Sequence, residues 1–194
     1  SGAVFLIFFG VFGGVFLLVW GYSLTRDVHE ENAAKPDTKV WKSQSSMLWR
    51  SKFFSPSGEI ALLGDKIHLL EISLKGTKGL SRKAKESSSR FKKEISQLKE
   101  YFYEGRKDFD LDFRLDASPF ALKVYSSMQE ISYGKTVSYS DLAKAAGSKK
   151  AFRAVGTICG NNLLPIVIPC HRVLAKNGLG GFSSGIKLKK FLLE

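Results

Sequence analysis

The chain is 194 residues long, carries a formal net charge of +12 and contains two cysteines. Two cysteines exclude a disulfide framework and favour a reducing, intracellular compartment, either cytoplasm or nucleus. The charge is uneven: residues 117–194 hold eleven Lys and Arg against three Asp and Glu, whereas residues 1–46 hold four of each. A basic region of this kind favours a polyanionic partner, and an ordinary basic soluble protein is the open alternative.

Residues 1–24 contain an apolar run, 3–24, that has no charged residue. As a helix this run would cross the hydrocarbon core of a membrane, which is about 30 Å thick. The polar residues 25–46 predict a linker. Two interpretations stay open: a transmembrane helix that would associate the protein with a membrane, or a non-native segment upstream of a natural start at Met47. A buried core helix is a third, less favoured reading of the run.

Residues 47–116 predict a small α/β domain. Short apolar and polar runs alternate over residues 48–74 around turn signals, which indicates strands joined by tight turns. Residues 76–89 are rich in Lys and Ser and predict a mobile loop. One amphipathic helix follows, because apolar residues recur there at helical spacing: Phe91, Ile95, Leu98 and Phe102.

Residues 117–194 predict a helical domain. An apolar run, 165–168, is rich in β-branched residues and predicts a buried strand that Pro169 ends. The periodicity elsewhere predicts four helices, at 120–131, 139–146, 149–160 and 186–193.

Cys170 follows the predicted strand and has His171 and Arg172 beside it. The reactivity of a thiol depends on its thiolate form. An imidazole and a guanidinium next to the sulfur are expected to favour that form electrostatically. An isolated cysteine is more often an inert buried residue, but this arrangement predicts a nucleophile.

Residues 169–173, Pro-Cys-His-Arg-Val, resemble the active-site signature of the O6-alkylguanine-DNA alkyltransferases. The resemblance extends over about residues 47–194, because further segments match that family in order. They are the opening hairpin at 55–60, the helix before the linker at 98–102, the first helix-turn-helix segment at 134–143, the recognition helix at 151–156 and the pocket loop at 180–183.

The resemblance implies an α+β fold: a small N-terminal α/β domain with an antiparallel sheet at 47–116, then a C-terminal domain at 117–194 with a winged helix-turn-helix-like motif. It implies direct DNA repair by a monomer. The alkyl group of O6-alkylguanine in double-stranded DNA would pass to Cys170 in a single turnover, after the base is flipped out of the duplex. Whether O4-alkylthymine is also a substrate stays open. No cofactor is implied. Some family members carry a structural zinc ion, but beyond the two cysteines this chain offers only His29 and His68, which are too few and too scattered for a four-ligand site.

The family's chemistry falls on a few side chains by this resemblance. Cys170 would be the nucleophile and permanent acceptor, and His171 the general base acting through a water molecule. Tyr139 would hydrogen-bond the flipped base and press on the target phosphate. Arg153 would fill the gap in the stack, because a guanidinium both stacks and pairs. DNA contacts are implied for four residues: Ser138, Tyr139, Arg153 and Ala154.

Five further residues would shape the pocket by the same resemblance. Asn162 would fix the turn that leads to the active-site strand, and Arg172 would anchor its loop. Val173 and Ser183 would offer main-chain contacts to the base edge and O6. Phe182 would form an aromatic wall, at a position where many family members carry tyrosine.

The family also has a glutamate in its C-terminal helix that orients the active-site histidine. By spacing, that glutamate would fall two positions beyond Glu194, and Glu194 itself lies on a different helical face. A sequence truncated before the glutamate is the simpler interpretation; otherwise His171 lacks the group that orients it.

Three other functions stay open. Alkyltransferase-like proteins bind lesions without repairing them, but they carry another residue at the position of Cys170. A Cys-His hydrolase would turn over repeatedly, and the basic charge and the helix-turn-helix pattern disfavour it. A membrane-anchored structural protein with a degenerate domain would lose thiol reactivity.

Overall fold

The computed structural model describes residues 47–78, 80–81 and 83–194. The predicted apolar helix at 3–24 and the predicted linker at 25–46 lie outside these residues. Within the described part of the chain, no helix is both long enough and apolar enough to span a membrane.

Four strands form one sheet in the order β3-β2-β1-β4. The strands β1 (Trp49–Ser55), β2 (Gly58–Gly64) and β3 (Leu69–Thr77) run antiparallel through tight turns, as predicted. The short β4 (Lys85–Glu86) pairs parallel to β1 and lies inside the stretch predicted as a loop. It forms because the Lys85 amide donates to the Leu48 carbonyl at 2.8 Å, a contact between residues distant in sequence.

The first helix, α1 (Lys92–Tyr103), follows a 3-10 turn. Phe91 and Leu98 are fully buried, and Ile95 and Phe102 pack on the same core, which confirms the predicted apolar face. Gln97 ties the helix to the chain that leaves it: its side-chain amide donates to the Asp110 carbonyl and accepts from the Asp110 amide, both at 2.9 Å.

Four α-helices lie in the rest of the chain: α2 (Pro119–Gln129), α3 (Tyr139–Ala145), α4 (Phe152–Gly160) and α5 (Ile186–Leu193). They agree with the four predicted helices within a few residues at their ends. The hydroxyl of Ser118 accepts from the Ala121 amide at the start of α2. Side-chain oxygens satisfy helix N-terminal amides in this way and fix where a helix begins.

One apolar core joins the sheet to the helices. Ile60 and Leu98 in the first part and Val124 and Ile168 in the second are fully buried in the same cluster. A parallel pair, β5 (Val137–Ser138) with β6 (Val173–Leu174), holds the start of α3 against the segment that follows Cys170. The α+β architecture is confirmed, and the active-site segment lies within its core.

The buried strand predicted at 165–168 is wrong. These residues form a turn in which Pro165 and Ile168 make an isolated bridge and the Ile168 amide donates to the Leu164 carbonyl at 2.8 Å. Ile166 has a φ of 77°, a costly conformation for a β-branched residue, and its side chain is 1% exposed. The side chains of this apolar run are therefore buried in several directions, and their packing stabilises the turn.

Candidate active site

Cys170 begins a 3-10 turn, Cys170–Arg172, immediately after Pro169. Its side chain is 4% exposed, and its amide donates to the Ile168 carbonyl at 2.8 Å. The turn at 165–168 therefore fixes the direction in which the thiol points.

Asn162 connects this turn to the thiol. Its Oδ1 accepts from the Leu164 amide at 3.0 Å, and its Nδ2 donates to the Ile168 carbonyl at 2.8 Å and to the Cys170 Sγ at 3.1 Å. The Asn162 side chain is buried, so these hydrogen bonds are shielded from water and hold the geometry firmly. Asn162 occupies the position at which the sequence predicts a turn-fixing residue.

The pKa of the Cys170 thiol is raised above its ordinary value because the side chain is buried, although the Asn162 hydrogen bond and the Lys189 charge lower it in part. Burial and the nearby cations Arg172 and Lys189 lower the pKa of His171 to about 3, so the imidazole is neutral. The Arg172 Nη1 donates to the Ile131 carbonyl at 2.7 Å. The prediction that His171 and Arg172 favour the thiolate is therefore wrong for this resting geometry.

His171 is fully buried, yet Nδ1 and Nε2 both lack a hydrogen-bond partner among the residues that the structure describes. Burying an unpaired polar group costs free energy, so an orphaned imidazole next to a cysteine suggests a group kept for proton transfer. Arg172 is held in place from two sides, since its guanidinium also lies 5.3 Å from the centre of the Tyr133 ring. These two contacts fix the guanidinium against Ile131 and Tyr133.

The Cys170 side chain faces a cavity of about 120 Å³. Its lining brings four of the predicted site residues together and adds a second cysteine and three glycines: Tyr139, Gly156, Cys159, Gly160, Cys170, Gly181, Phe182 and Ser183. Burial raises the pKa of Cys159 to about 12, so this second thiol stays protonated. Within residues 47–78, 80–81 and 83–194, no three His, Cys, Asp or Glu side chains cluster closely enough to hold a metal ion.

The structure does not bring the other predicted DNA contacts into this cavity. Arg153 and Ala154 are exposed on α4. The Ser138 hydroxyl caps α3 by accepting from the Asp141 amide at 3.1 Å, and it also bonds the Ser140 hydroxyl at 2.7 Å. Val173 is fully buried, and its carbonyl accepts a hydrogen bond from the Lys189 ammonium.

Lys189 is a site residue that the sequence reasoning missed. It is fully buried, and its ammonium donates to the carbonyls of Val173 at 2.7 Å, Leu179 at 2.6 Å and Gly181 at 3.2 Å. All three donors of the ammonium are thus satisfied, which offsets the cost of burying the charge. One sequence signal existed: the apolar Ile186 and Leu192 lie three residues before and after Lys189, the spacing of one helical face.

Lys75 is the second missed residue. It projects from β3, and its Nζ donates to the Ser183 carbonyl at 2.6 Å, across 108 positions of sequence. The same strand donates the Ile72 amide to the Leu163 carbonyl at 2.8 Å, next to Asn162. No local pattern signals either contact, because both depend on the tertiary fold.

The comparisons with known proteins agree with this site. Residues 119–194 match the family model described as 6-O-methylguanine DNA methyltransferase, DNA binding domain. The chain is 38% identical over 146 residues to the methylated-DNA–protein-cysteine methyltransferase of Methanosarcina acetivorans, an alignment that covers 73% of this chain and 94% of the relative. The corresponding protein of Metallosphaera sedula is 36% identical over 151 residues, covering 76% of this chain and 92% of the relative.

Solved structures are similar as well. The Mycobacterium tuberculosis O6-methylguanine methyltransferase superposes with a TM-score of 0.70 at 30% identity, covering 76% of this chain and 91% of that one. A structure of the Mycobacterium tuberculosis protein in complex with DNA superposes with a TM-score of 0.69 at 32% identity, covering 74% and 89%.

The fold and the site define a class of protein: an α+β chain whose helical part encloses a buried cysteine at the edge of a small cavity. The similarity of sequence and structure to known proteins identifies the family within this class. The chain belongs to the methylated-DNA–protein-cysteine methyltransferase family, as its sequence motifs predict.

Proposed function

We propose that this protein repairs O6-alkylguanine in DNA by transferring the alkyl group to Cys170, once per molecule. The observation that carries the proposal is the position of the Cys170 thiol in the wall of a cavity between Tyr139 and Phe182. A base inside a duplex is inaccessible to such a thiol, so the damaged nucleotide has to be flipped into the cavity.

The chemical step balances as follows. His171 takes the thiol proton through a water molecule, and the Cys170 Sγ forms a bond to the alkyl carbon while the carbon–O6 bond breaks. The electron pair of that bond stays on the guanine oxygen, and the hydroxyl of Tyr139 hydrogen-bonds the departing base. The product is a thioether, which thiols do not reduce, so the protein is consumed in the reaction.

The resting state is an unreactive thiol under this proposal. Burial disfavours the charged forms of Cys170 and His171 alike, and proton transfer between them creates an ion pair rather than a lone charge. Hydrogen bonds from the Asn162 amide to Sγ favour the thiolate once it forms.

The helices α3 and α4 would act as the helix-turn-helix of the DNA-binding surface. Arg153 and Ala154 are exposed on α4, which supports a role for them in contact with DNA. Arg153 would occupy the gap left by the flipped base. Ser138 would contribute mainly by capping the helix that carries Tyr139, since its hydroxyl is already engaged.

The remaining pocket residues would bind the base through their backbone. Val173 and Ser183 would contact the base edge and O6, with Phe182 as the aromatic wall. Arg172 would anchor the segment through Ile131, and its burial argues against a phosphate contact.

The test is intact-protein mass spectrometry after mixing the protein with a duplex that carries one O6-methylguanine. The expected result is a stoichiometric gain of one CH2 group on the peptide containing Cys170, absent from Cys170→Ala. Binding to the lesion duplex without any change in mass would overturn the proposal and favour a lesion-binding protein.

A further inference from the structure

The outer face of α4 carries a large aromatic side chain. Phe152 is 47% exposed at the start of this helix, beside Arg153. The Arg153 guanidinium lies 5.9 Å from the centre of the Phe152 ring, which is within the range of a cation–π contact. Single exposed apolar residues are common on protein surfaces. The surroundings of Phe152 therefore determine whether its exposure indicates a binding role.

Phe152 lies about one helical turn before the part of α4 that lines the cavity. Residues four apart share one side of a helix, so Phe152, Gly156 and Gly160 form a single stripe along α4. Gly156 and Gly160 line the cavity, and a Cβ added at either would meet no atom within 4 Å. The stripe is therefore open beyond the glycines, and Phe152 lies about 6 Å from Gly156 along the helix axis.

The basic residues near this stripe indicate which class of partner would bind there. Residues 142–193 hold nine Lys and Arg and no Asp or Glu. Lys149 and Lys150 precede α4 directly and are both exposed. The exposed cations Lys149, Lys150 and Arg153, next to an opening lined by glycines, fit a nucleic acid backbone and its bases.

We propose that Phe152 is a DNA-contacting residue that wedges against the base pair next to the flipped nucleotide. The proposal rests on the function proposed above and adds a side chain to it. Flipping unstacks the neighbouring base pair, and apolar side chains inserted at such steps recover part of the lost stacking. Phe152 does this from one turn beyond the cavity lining, with Arg153 beside it filling the gap in the stack.

The experiment compares two substrates of the same chemistry. Transfer is timed from a duplex carrying O6-methylguanine, which requires flipping, and from free O6-methylguanine, which does not. Phe152→Ala is expected to slow transfer from the duplex by about five- to a hundredfold, the range of base–aromatic stacking losses, and to leave the free-base rate within twofold of wild type.

A matched control is available in Phe54→Ala, because Phe54 is 73% exposed on β1, outside the cavity lining. This variant is expected to behave as wild type on both substrates. Duplex transfer by Phe152→Ala at the wild-type rate would overturn the proposal. Equal losses on both substrates would also overturn it, since they would indicate a role in the pocket or the fold.

DNA binding separates this proposal from the proposed function. In a Cys170→Ala background, where no transfer is expected, Phe152→Ala should weaken binding to the lesion duplex by a similar factor. The slope of log affinity against log salt should stay unchanged, because no phosphate contact is lost. If the wild-type protein transferred from neither substrate, the proposed function would fail. The ratio of duplex affinities with and without Phe152→Ala would still test the role of Phe152, and a ratio of one would overturn it.

Discussion

The two sides of the cavity are built by different means. The helix wall consists of Gly156, Cys159 and Gly160 and is held by the backbone hydrogen bonds of α4. The loop wall consists of Gly181, Phe182 and Ser183 and belongs to no helix or strand.

The loop wall depends instead on two ammonium groups. Lys189 holds the Gly181 carbonyl from inside the protein, and Lys75 holds the Ser183 carbonyl from the sheet. The helix wall thus costs no buried charge, whereas the loop wall needs one cation that is fully removed from water. The loop wall is therefore the part of the site most sensitive to a single substitution.

The largest effect is expected from Lys189→Met. Three carbonyls, one of them on the buried Val173, lose their donor, so the free energy of unfolding should fall by about 3–5 kcal/mol. Urea denaturation measures this loss, and the transfer rate should fall with it because the loop wall is no longer held. Lys190→Met is the control, since Lys190 is exposed on the same helix. Equal stability of the two variants would refute the role of Lys189 in the loop wall.

The next effect concerns the thiol, which lies where the two walls meet. Because burial raises the pKa of Cys170, the thiol is protonated at pH 7. Alkylation of Cys170 by iodoacetamide should therefore accelerate about tenfold per pH unit between pH 7 and 9 as the thiolate population grows. The rate is followed by peptide mass spectrometry. A rate that is already constant in this range would mean that the resting protein holds a thiolate.

A smaller effect is expected from Gly156→Ala in the helix wall. The new Cβ meets no atom, and alanine is favoured over glycine inside a helix, so the free energy of unfolding should rise by about 0.5–1 kcal/mol. The same methyl group faces the cavity and should slow transfer of bulky alkyl groups more than transfer of methyl. Thermal denaturation and transfer rates test both statements. A loss of stability would show that the helix wall has no free space at this position.

The smallest effect is expected from Lys75→Met. Lys75 is exposed, so its hydrogen bond to the Ser183 carbonyl competes with water and the free energy of unfolding should change by less than about 1 kcal/mol. The transfer rate should fall by about twofold, because the outer end of the loop wall is less firmly held. Lys78→Met, at an exposed lysine just beyond β3, is the control. Identical transfer rates in the two variants would show that Lys75 does not contribute to the site.

The sequence predicts the helices and the hairpins because their apolar residues repeat with the period of one buried face. It does not predict the turn at 165–168, since a segment buried in all directions has no alternation to distinguish a turn from a strand. The frame around Cys170 predicts the nucleophile that the proposed function uses. Lys189 is missed because lysine is normally exposed, and only the carbonyls of a distant loop explain its burial.

The pKa shifts at the site are likewise not predictable from the sequence. Adjacency in sequence suggests that His171 and Arg172 activate the sulfur, but adjacency does not specify burial. In the structure, burial keeps the imidazole of His171 neutral, and the guanidinium of Arg172 donates to the Ile131 carbonyl. The side chains that lower the pKa of Cys170 are instead Asn162, eight residues before it, and Lys189, on α5, whereas His171 contributes only through its backbone.

The absence of any acidic residue between Asp141 and Glu194 has a consequence for how damage is found. Attraction to phosphates is the same at every position along a duplex, so the protein can slide and hop along undamaged DNA instead of searching by collision from solution. Because each molecule reacts once, the rate of repair is set by the number of unreacted copies and the length of DNA each one scans. Raising the ionic strength shortens that length, and it would slow repair without any change in the chemistry of Cys170.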